Sequence, residues 1–322
     1  MITHPLYSHC SASLKYVFFV AAFTLLATTN LQAKNSGQNG ITQGRIVVSI
    51  KPLYSLVAHL TQGVEEPVLL MKQSQSPHHY NIRPSERRLL ANAKMIIWIG
   101  PEMGSALGNI IQQSTATIVT ASQADDLGLL ESRGKHGSHD EHSMDAEDSS
   151  HHSTDPHIWL STRNAAAIST HISQQLIAND PSNTKKYQAN LQRLLDKIEH
   201  TKRFIKTTLQ NVSKPYIAYH DAFQYFEDEN ELNFVAAINT DDETSVSLKH
   251  MREIKEKIEQ QQINCLVYQP PKSAIVNSLE KRHDMHTAVL DILGQTVKND
   301  NTAWFEIMQL LALNFNRCLS GK

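Results

Sequence analysis

Five histidines, His136, His139, His142, His151 and His152, stand among the carboxylates Asp140, Glu141, Asp145, Glu147 and Asp148. Imidazole nitrogen and carboxylate oxygen suit borderline divalent cations, so a run of this composition collects metal loosely. No apolar periodicity survives across residues 131–154, and a solvated acidic loop accounts for the run equally well when it is taken alone. The run ends in Asp155-Pro156-His157-Ile158-Trp159-Leu160, an apolar segment carrying one more histidine. A donor-rich arm leading to a fixed donor points to metal capture followed by metal binding.

Three further residues extend that chemistry. His78 follows an apolar strand pattern, His220 ends another, and Asp291 ends a third. Singly, each has a plain alternative as a loop residue or a helix cap. Together with His157 they form a set of three imidazoles and one carboxylate, suited to Zn²⁺ more than to Mn²⁺ or Mg²⁺. In open α/β sheets ligands bind outside the carboxyl ends of strands, which is where these residues fall. His283 and His286, three apart, can share a helix face, but as surface histidines they need no role.

The elements that must position these residues come in two series. Apolar runs at 45–50, 67–71, 95–99 and 115–119 alternate with helical patterns at 53–60, 85–92 and 103–112. Ser85 offers a cap for the second helix. Beyond the histidine run, 164–178 is helical. Asp180-Pro181 then places a capping residue and a first-turn proline before a long amphipathic stripe, Tyr187 to Val212. At 1.5 Å per residue a helix over 181–212 extends ~48 Å, the length of a rigid connector and not of an ordinary surface helix. A second series follows, with strands at 216–219, 234–237, 264–268 and 287–290 and helices at 223–229, 247–261, 272–282 and 304–318. Repeated β-α units predict parallel sheets flanked by helices. The expected architecture is α/β: two similar lobes, 41–178 and 213–322, joined by one long connecting helix, with the acidic histidine loop at 134–153.

The 322 residues suffice for about two such units, and 40 % apolar residues against 19 % charged ones allow a buried core. A net charge of −2 gives no electrostatic case for nucleic acid. Lys15, an apolar run over 16–27 and the small-residue site Leu31-Gln32-Ala33 read as a cleavable signal peptide, residues 1–33. The run is too short to span a bilayer as a mature helix. Cys10 precedes the run, so it cannot be the acylated cysteine of a lipoprotein. A soluble periplasmic protein is expected. Cys265 and Cys318 are then the cysteines left in the mature chain, and in an oxidising compartment such a pair most simply forms one disulfide. Closing their 53-residue loop contributes roughly 4 kcal/mol in the chain-entropy model.

Three segments carry a resemblance. They are Ser76-Pro77-His78-His79-Tyr80 with Arg83-Pro84-Ser85-Glu86, Asp155 to Leu160, and Tyr219-His220-Asp221-Ala222-Phe223-Gln224-Tyr225-Phe226. They resemble motifs of the periplasmic zinc-binding proteins of bacterial ABC transporters, the cluster A-I substrate-binding proteins. The resemblance runs from about residue 45 to the C-terminus and takes in the histidine loop and the cysteine pair. It implies two α/β lobes on one long helix, a metal buried between them, and a membrane permease as partner, with the protein a monomer. His78, His157 and His220 match the three histidine ligands. Some members place a glutamate just before the first histidine, where this chain has Pro77. Others use an aspartate, and Leu290-Asp291-Ile292-Leu293-Gly294 resembles that segment; water is the remaining way to fill the fourth place. Arg83 and Glu86 look like a structural ion pair beside the site, and His79 stands where many members have another polar residue.

Three rival functions remain. A manganese or iron importer of the same fold resembles this chain but uses fewer histidines and more carboxylates, so His220 argues against it. A zinc hydrolase needs a general base, and no helical H-E-x-x-H motif is present; Asp221, beside His220, fits an outer or capping role better. A surface adhesin is the third.

Overall fold

The computed structural model describes residues 44–72, 76–133, 154–239 and 246–321. The signal segment and the histidine loop at 134–153 therefore lie outside the described residues. Residues from Gly44 onward form one compact unit.

The N-terminal half opens with β1 (Arg45–Val48), α1 (Lys51–Leu60) and β2 (Val68–Leu69). Next come α2 (Pro84–Ala91), β3 (Ala93–Trp98), α3 (Ser105–Ile111) and β4 (Thr117–Thr120). The strands are parallel, in the order β2-β1-β3-β4. Met95 to Trp98 are all buried, as expected where helices cover both faces of a parallel sheet. Pro52 does not delay α1; proline is tolerated in a first turn because its missing N–H has no intrahelical partner there. Ser85 is not a cap. The cap of α2 is Arg83, with Pro84 at the first position and Glu86 at the third, from where its carboxylate accepts the Arg83 backbone N–H at 2.8 Å.

After the loop come α4 (Thr162–Asn179) and α5 (Thr184–Leu209), the latter 26 residues long. Asp180 caps only a short 3₁₀ turn, Pro181–Asn183, and α5 begins after it. The C-terminal half holds β5 (Tyr216–His220), α6 (Gln224–Asn230), β6 (Phe234–Asn239), α7 (Leu248–Gln260), β7 (Cys265–Tyr268), α8 (Ala274–His283), β8 (His286–Val289) and α9 (Ala303–Ser320). Its order, β6-β5-β7-β8, repeats the topology of the first sheet. His283 and His286 do not share a helix: Asp284 turns left-handed at φ 49° and ends α8, and His286 opens β8. Cys265 of β7 and Cys318 of α9 form a disulfide.

The long helix α5 spans both halves. Its buried stripe runs Tyr187, Asn190, Leu194, Ile198, Thr201, Ile205 and Leu209. Asn190 donates to Leu60 O and Gln62 O in the first half, while Asn316 donates to Thr208 O from the second. α9 returns across the seam to pack against α1, where Trp304 N–H donates to Ser55 Oγ at 3.0 Å. One apolar core therefore runs through both halves, from Leu56 through Trp159 and Leu194 to Trp304 and Phe315. A second core, Ile217, Ile238, Ile254, Ile258 and Leu266, lies beneath α7. The two tryptophans lock the halves reciprocally. Trp304 Nε1–H donates to Trp159 O at 2.8 Å, and Trp159 Nε1–H donates to Ile292 O at 3.2 Å. No helix among the described residues is long and apolar enough to cross a membrane.

Candidate metal centre

The repeated strand order places a crevice in each sheet where the winding reverses, beside β1 in one and β5 in the other. His220 is the last residue of β5 and is 3 % exposed. His78 lies in a single 3₁₀ turn, Pro77–His79, after β2. Glu86 steadies that turn, since its second carboxylate oxygen accepts the Tyr80 hydroxyl at 2.7 Å. Gly104 backs it with φ 138°, and a Cβ there would lie 3.0 Å from both Pro77 O and His78 O. His157 precedes the buried turn Ile158–Leu160 and is itself 3 % exposed.

These three histidines meet. Each presents a ring nitrogen, and the three nitrogens lie within 4.8 Å of one another. Ring centroids are separated by 5.4 Å (His78–His157), 5.7 Å (His157–His220) and 6.3 Å (His78–His220). On tetrahedral zinc, with bonds of ~2.0–2.1 Å, ligand nitrogens stand roughly 3.4 Å apart. The rings need draw in by about 1 Å, a side-chain adjustment. The histidines line a cleft of ≈ 330 Å³ with Trp159, Tyr219, Gln269, Pro270 and Ile292.

Two of the rings are oriented from behind. Asp155 Oδ1 lies 2.7 Å from His157 Nδ1 and also accepts the His157 backbone N–H at 2.9 Å. That partnership puts the proton on Nδ1 and leaves Nε2 as the donor atom. Burial alone would raise the Asp155 carboxyl, but the His157 ring against it, and Arg133 beyond, hold it below the usual carboxylate range. Behind His220, the side-chain amide nitrogen of Gln269 lies 2.9 Å from Nδ1 and donates to it. Binding a metal through Nε2 would need this amide turned so that its oxygen accepts Nδ1–H.

Asp291 is not brought into this group. Its carboxylate accepts the Gln295 backbone N–H and faces Lys51, whose ammonium donates to Gly294 O and, at 2.7 Å, to Val297 O. Its sequence neighbours Ile292, Leu293 and Gln295 line the cleft in its place. Asp221, next to His220, points into the seam. Arg133 donates to both of its oxygens and, at 2.6 Å, to Glu227 Oε2, and stacks 3.8 Å over Phe234. Tyr216 donates to the same Glu227, whose burial pushes its carboxyl up to about 7. Arg133 is the last described residue before the histidine loop, and the far end of that loop is tied down by Asp155 N–H donating to Leu130 O at 2.9 Å.

The family model for the periplasmic component A of the zinc-uptake complex (ZnuA) matches residues 46–318. The chain belongs to this family. It is a family of metal-binding substrate-binding proteins that serve ABC permeases, transport proteins and not enzymes, which removes the hydrolase alternative. The high-affinity zinc uptake system protein ZnuA of Yersinia pestis is 27 % identical over 293 residues, 87 % of this chain and 92 % of that one. A crystal structure of ZnuA superposes with a TM-score of 0.72 at 19 % identity, covering 86 % of this chain and 99 % of that one. The Pseudomonas aeruginosa binding protein FpvC in complex with Ni²⁺ superposes with a TM-score of 0.71 at 16 % identity, covering 87 % and 97 %. These two likenesses establish the fold of the ZnuA-family chain, and its own side chains carry the argument about cargo.

Asp155, Gln269 and Arg133 are the site residues that sequence reasoning missed. Asp155 could have been found, since an aspartate two residues before a buried histidine can reach back to its ring. Gln269 and Arg133 lie 49 and 88 residues from His220 and Asp221, and nothing local announces them.

Proposed function

We propose that this protein is the periplasmic zinc-binding component of an ABC importer and that His78, His157 and His220 hold the ion. The observation that carries the reading is the convergence of three imidazole nitrogens from both halves at the crevice of the sheets. A nitrogen-rich, four-coordinate environment suits Zn²⁺, whereas Mn²⁺ favours carboxylate and water oxygens. Water completes the coordination, because the Asp291 carboxylate lies outside the group of three histidines and already accepts Gln295 N–H. Residues 1–33 are removed on export, and the mature monomer works in the periplasm without a lipid anchor. His136, His139, His142, His151 and His152 gather zinc loosely and raise its concentration at the cleft mouth. The lobes 41–178 and 213–322 close only slightly, because α5, α9 and the paired tryptophans hold them. The permease then takes the ion from the loaded form.

A manganese or nickel carrier is the second reading, favoured by the similarity of fold to FpvC in its Ni²⁺ and Mn²⁺ complexes. One experiment separates them: zinc and manganese titration of the mature, tag-free, chelator-stripped protein beside His78→Ala, His157→Ala and His220→Ala. The expected result is one tight zinc site, with manganese far weaker. Each substitution should weaken zinc more than ~100-fold, the upper end for losing an outer partner of a ligand. Tight manganese binding, or zinc binding indifferent to the substitutions, would refute the assignment.

A further inference from the structure

A buried phenol must find partners for its hydroxyl, so the partners of Tyr225 are informative. Tyr225 is 2 % exposed and belongs to α6 of the C-terminal half. Phe223 just before α6 and Phe226 within it pack on Phe315 of α9, with ring centroids 6.0 and 5.6 Å away, and so fix the seat of the helix. The Tyr225 hydroxyl reaches out of its own half. It donates to Asp155 O at 2.8 Å and accepts Leu130 N–H at 3.2 Å. Asp155 N–H in turn donates to Leu130 O at 2.9 Å, so one hydroxyl ties two backbone segments of the first half to each other and to α6. Asp155 is also the residue whose carboxylate holds both the backbone N–H and the ring Nδ1 of His157.

We propose that Tyr225 is a positioning residue for the metal site: the C-terminal half aims His157 through the Tyr225 hydroxyl and Asp155. This rests on the zinc-binding reading above. Tyr225 fixes where the Asp155 backbone stands. Asp155 is buried, and its carboxylate passes that position on to the ring. The partner behind a ligating imidazole sets its orientation, and a ligand set works only when it is held to about 0.5 Å. His157 is then a ligand from one half whose direction depends on the other. The C-terminal half governs two of the three histidines, since it carries His220 and aims His157. Parting the halves withdraws one ligand and misdirects another, so a small opening loosens the ion steeply. By linkage, the bound ion strengthens the contact between the halves in return.

The test uses the mature, full-length, chelator-stripped protein and compares wild type, Tyr225→Phe, Asp155→Ala, the double variant and His78→Ala. Zinc affinity is read by chelator competition, and coordination by the absorption spectrum of the Co²⁺ form. Tyr225→Phe keeps the ring in the core and removes only the hydroxyl. It should weaken zinc by roughly 10-fold and shift the Co²⁺ ligand-field bands, although every ligand is still present. Asp155→Ala should weaken zinc by roughly 10–100-fold. The double variant decides the route: if Tyr225 acts through Asp155, adding Tyr225→Phe to Asp155→Ala should weaken zinc by less than about 2-fold more. Losses that multiply in the double variant overturn the inference, as does a Tyr225→Phe protein that binds zinc as wild type does, provided that His78→Ala has lost the tight site. Should Asp155→Ala fail to fold, unshifted Co²⁺ bands in Tyr225→Phe overturn it alone. If His78→Ala keeps the tight site, the zinc-site reading fails instead.

Discussion

The same two halves face each other across a seam and across a cleft. In the seam, opposite charges meet: Arg133 spans Asp221 and Glu227, Tyr216 donates to Glu227, and Glu229 takes both Thr162 N–H, at 2.6 Å, and Thr162 Oγ1–H. In the cleft, like meets like: three imidazoles aim donor nitrogens at one point. Lone pairs brought together gain nothing from one another. The arrangement makes physical sense when a cation sits among them and the walls cannot drift apart. The seam supplies the walls, because a buried charge must stay paired. Closure is thus built into the fold, and the cleft is preorganised. Its cost falls on the seam, where Glu227 is buried deeply enough to stand near pH 7 in spite of Arg133.

The sharpest way to break the comparison is to strip the seam of its cation. Arg133→Ala leaves two carboxylates, 9 % and 5 % exposed, without their shared partner. Breaking a buried pair from one side costs about 3–5 kcal/mol, so apo stability in urea should fall by about 4 kcal/mol. Arg133→Met with Glu227→Gln should recover part of that, since the second change removes one of the two stranded charges, the more buried. Equal losses in the single and double variants would mean that Arg133 acts by packing on Phe234 and not by charge. Zinc affinity in the surviving folded protein should change far less than in His220→Ala, because Arg133 touches none of the three rings.

The seam also holds a histidine that behaves oppositely to those of the cleft. His59 of α1 is 4 % exposed, sits edge-on to Phe305 at 6.0 Å, and has a buried Nδ1 with no hydrogen-bond partner. Burial, then Lys197 and Arg193, depress it from 6.5 to about 4. The unfolded chain therefore takes up a proton before the folded one does. This contribution to stability is complete above pH 6.5 and is lost as pH falls toward 4. By pH 4.5 the loss amounts to about 2.5 kcal/mol. His59→Leu removes the titrating group. The stability of wild type relative to this variant, measured in urea, should fall by about that much between pH 7.5 and 4.5. A difference independent of pH would show that His59 takes up a proton as readily in the folded state as in the unfolded one.

The same contrast explains what the chain makes legible. Strand and helix positions follow from apolar periodicity, and every strand of both sheets coincides with a run of that kind, such as Met95 to Trp98. The lobes, the long helix and the meeting of His78, His157 and His220 could be read because each histidine sits at a strand end or in a turn next to one. The seam could not. Arg133 stands at the edge of an acidic tract and reads as one more solvated charge, and its partners lie 88 and 94 residues away. Pairing at that range is written in the packing of α5 and α9, not in any window of sequence. Cap positions failed for a smaller reason: Pro84 and Pro181 both enter first turns, one of an α-helix and one of a 3₁₀ turn, and local spacing does not distinguish them.

Asp291 marks the border between the two regions and gives the finest test. By sequence it belongs to the cleft as a fourth ligand. By geometry it belongs to the seam, where it accepts Gln295 N–H and offsets Lys51, an ammonium that burial draws down and Asp291 draws back up. Asp291→Asn keeps the size and an acceptor oxygen while removing the charge. If water fills the fourth place, zinc affinity by chelator competition should move by less than about 3-fold, well below the ~10–100-fold expected for an outer partner of a ligand. Apo stability should drop by no more than about 1 kcal/mol, since Asp291 acts on Lys51 only at longer range than a formed ion pair. A loss of zinc affinity beyond ~100-fold with apo stability intact would place the carboxylate on the metal. The halves would then have to rotate on loading to carry the Asp291 carboxylate from Gln295 N–H to the metal, and closure would no longer be slight.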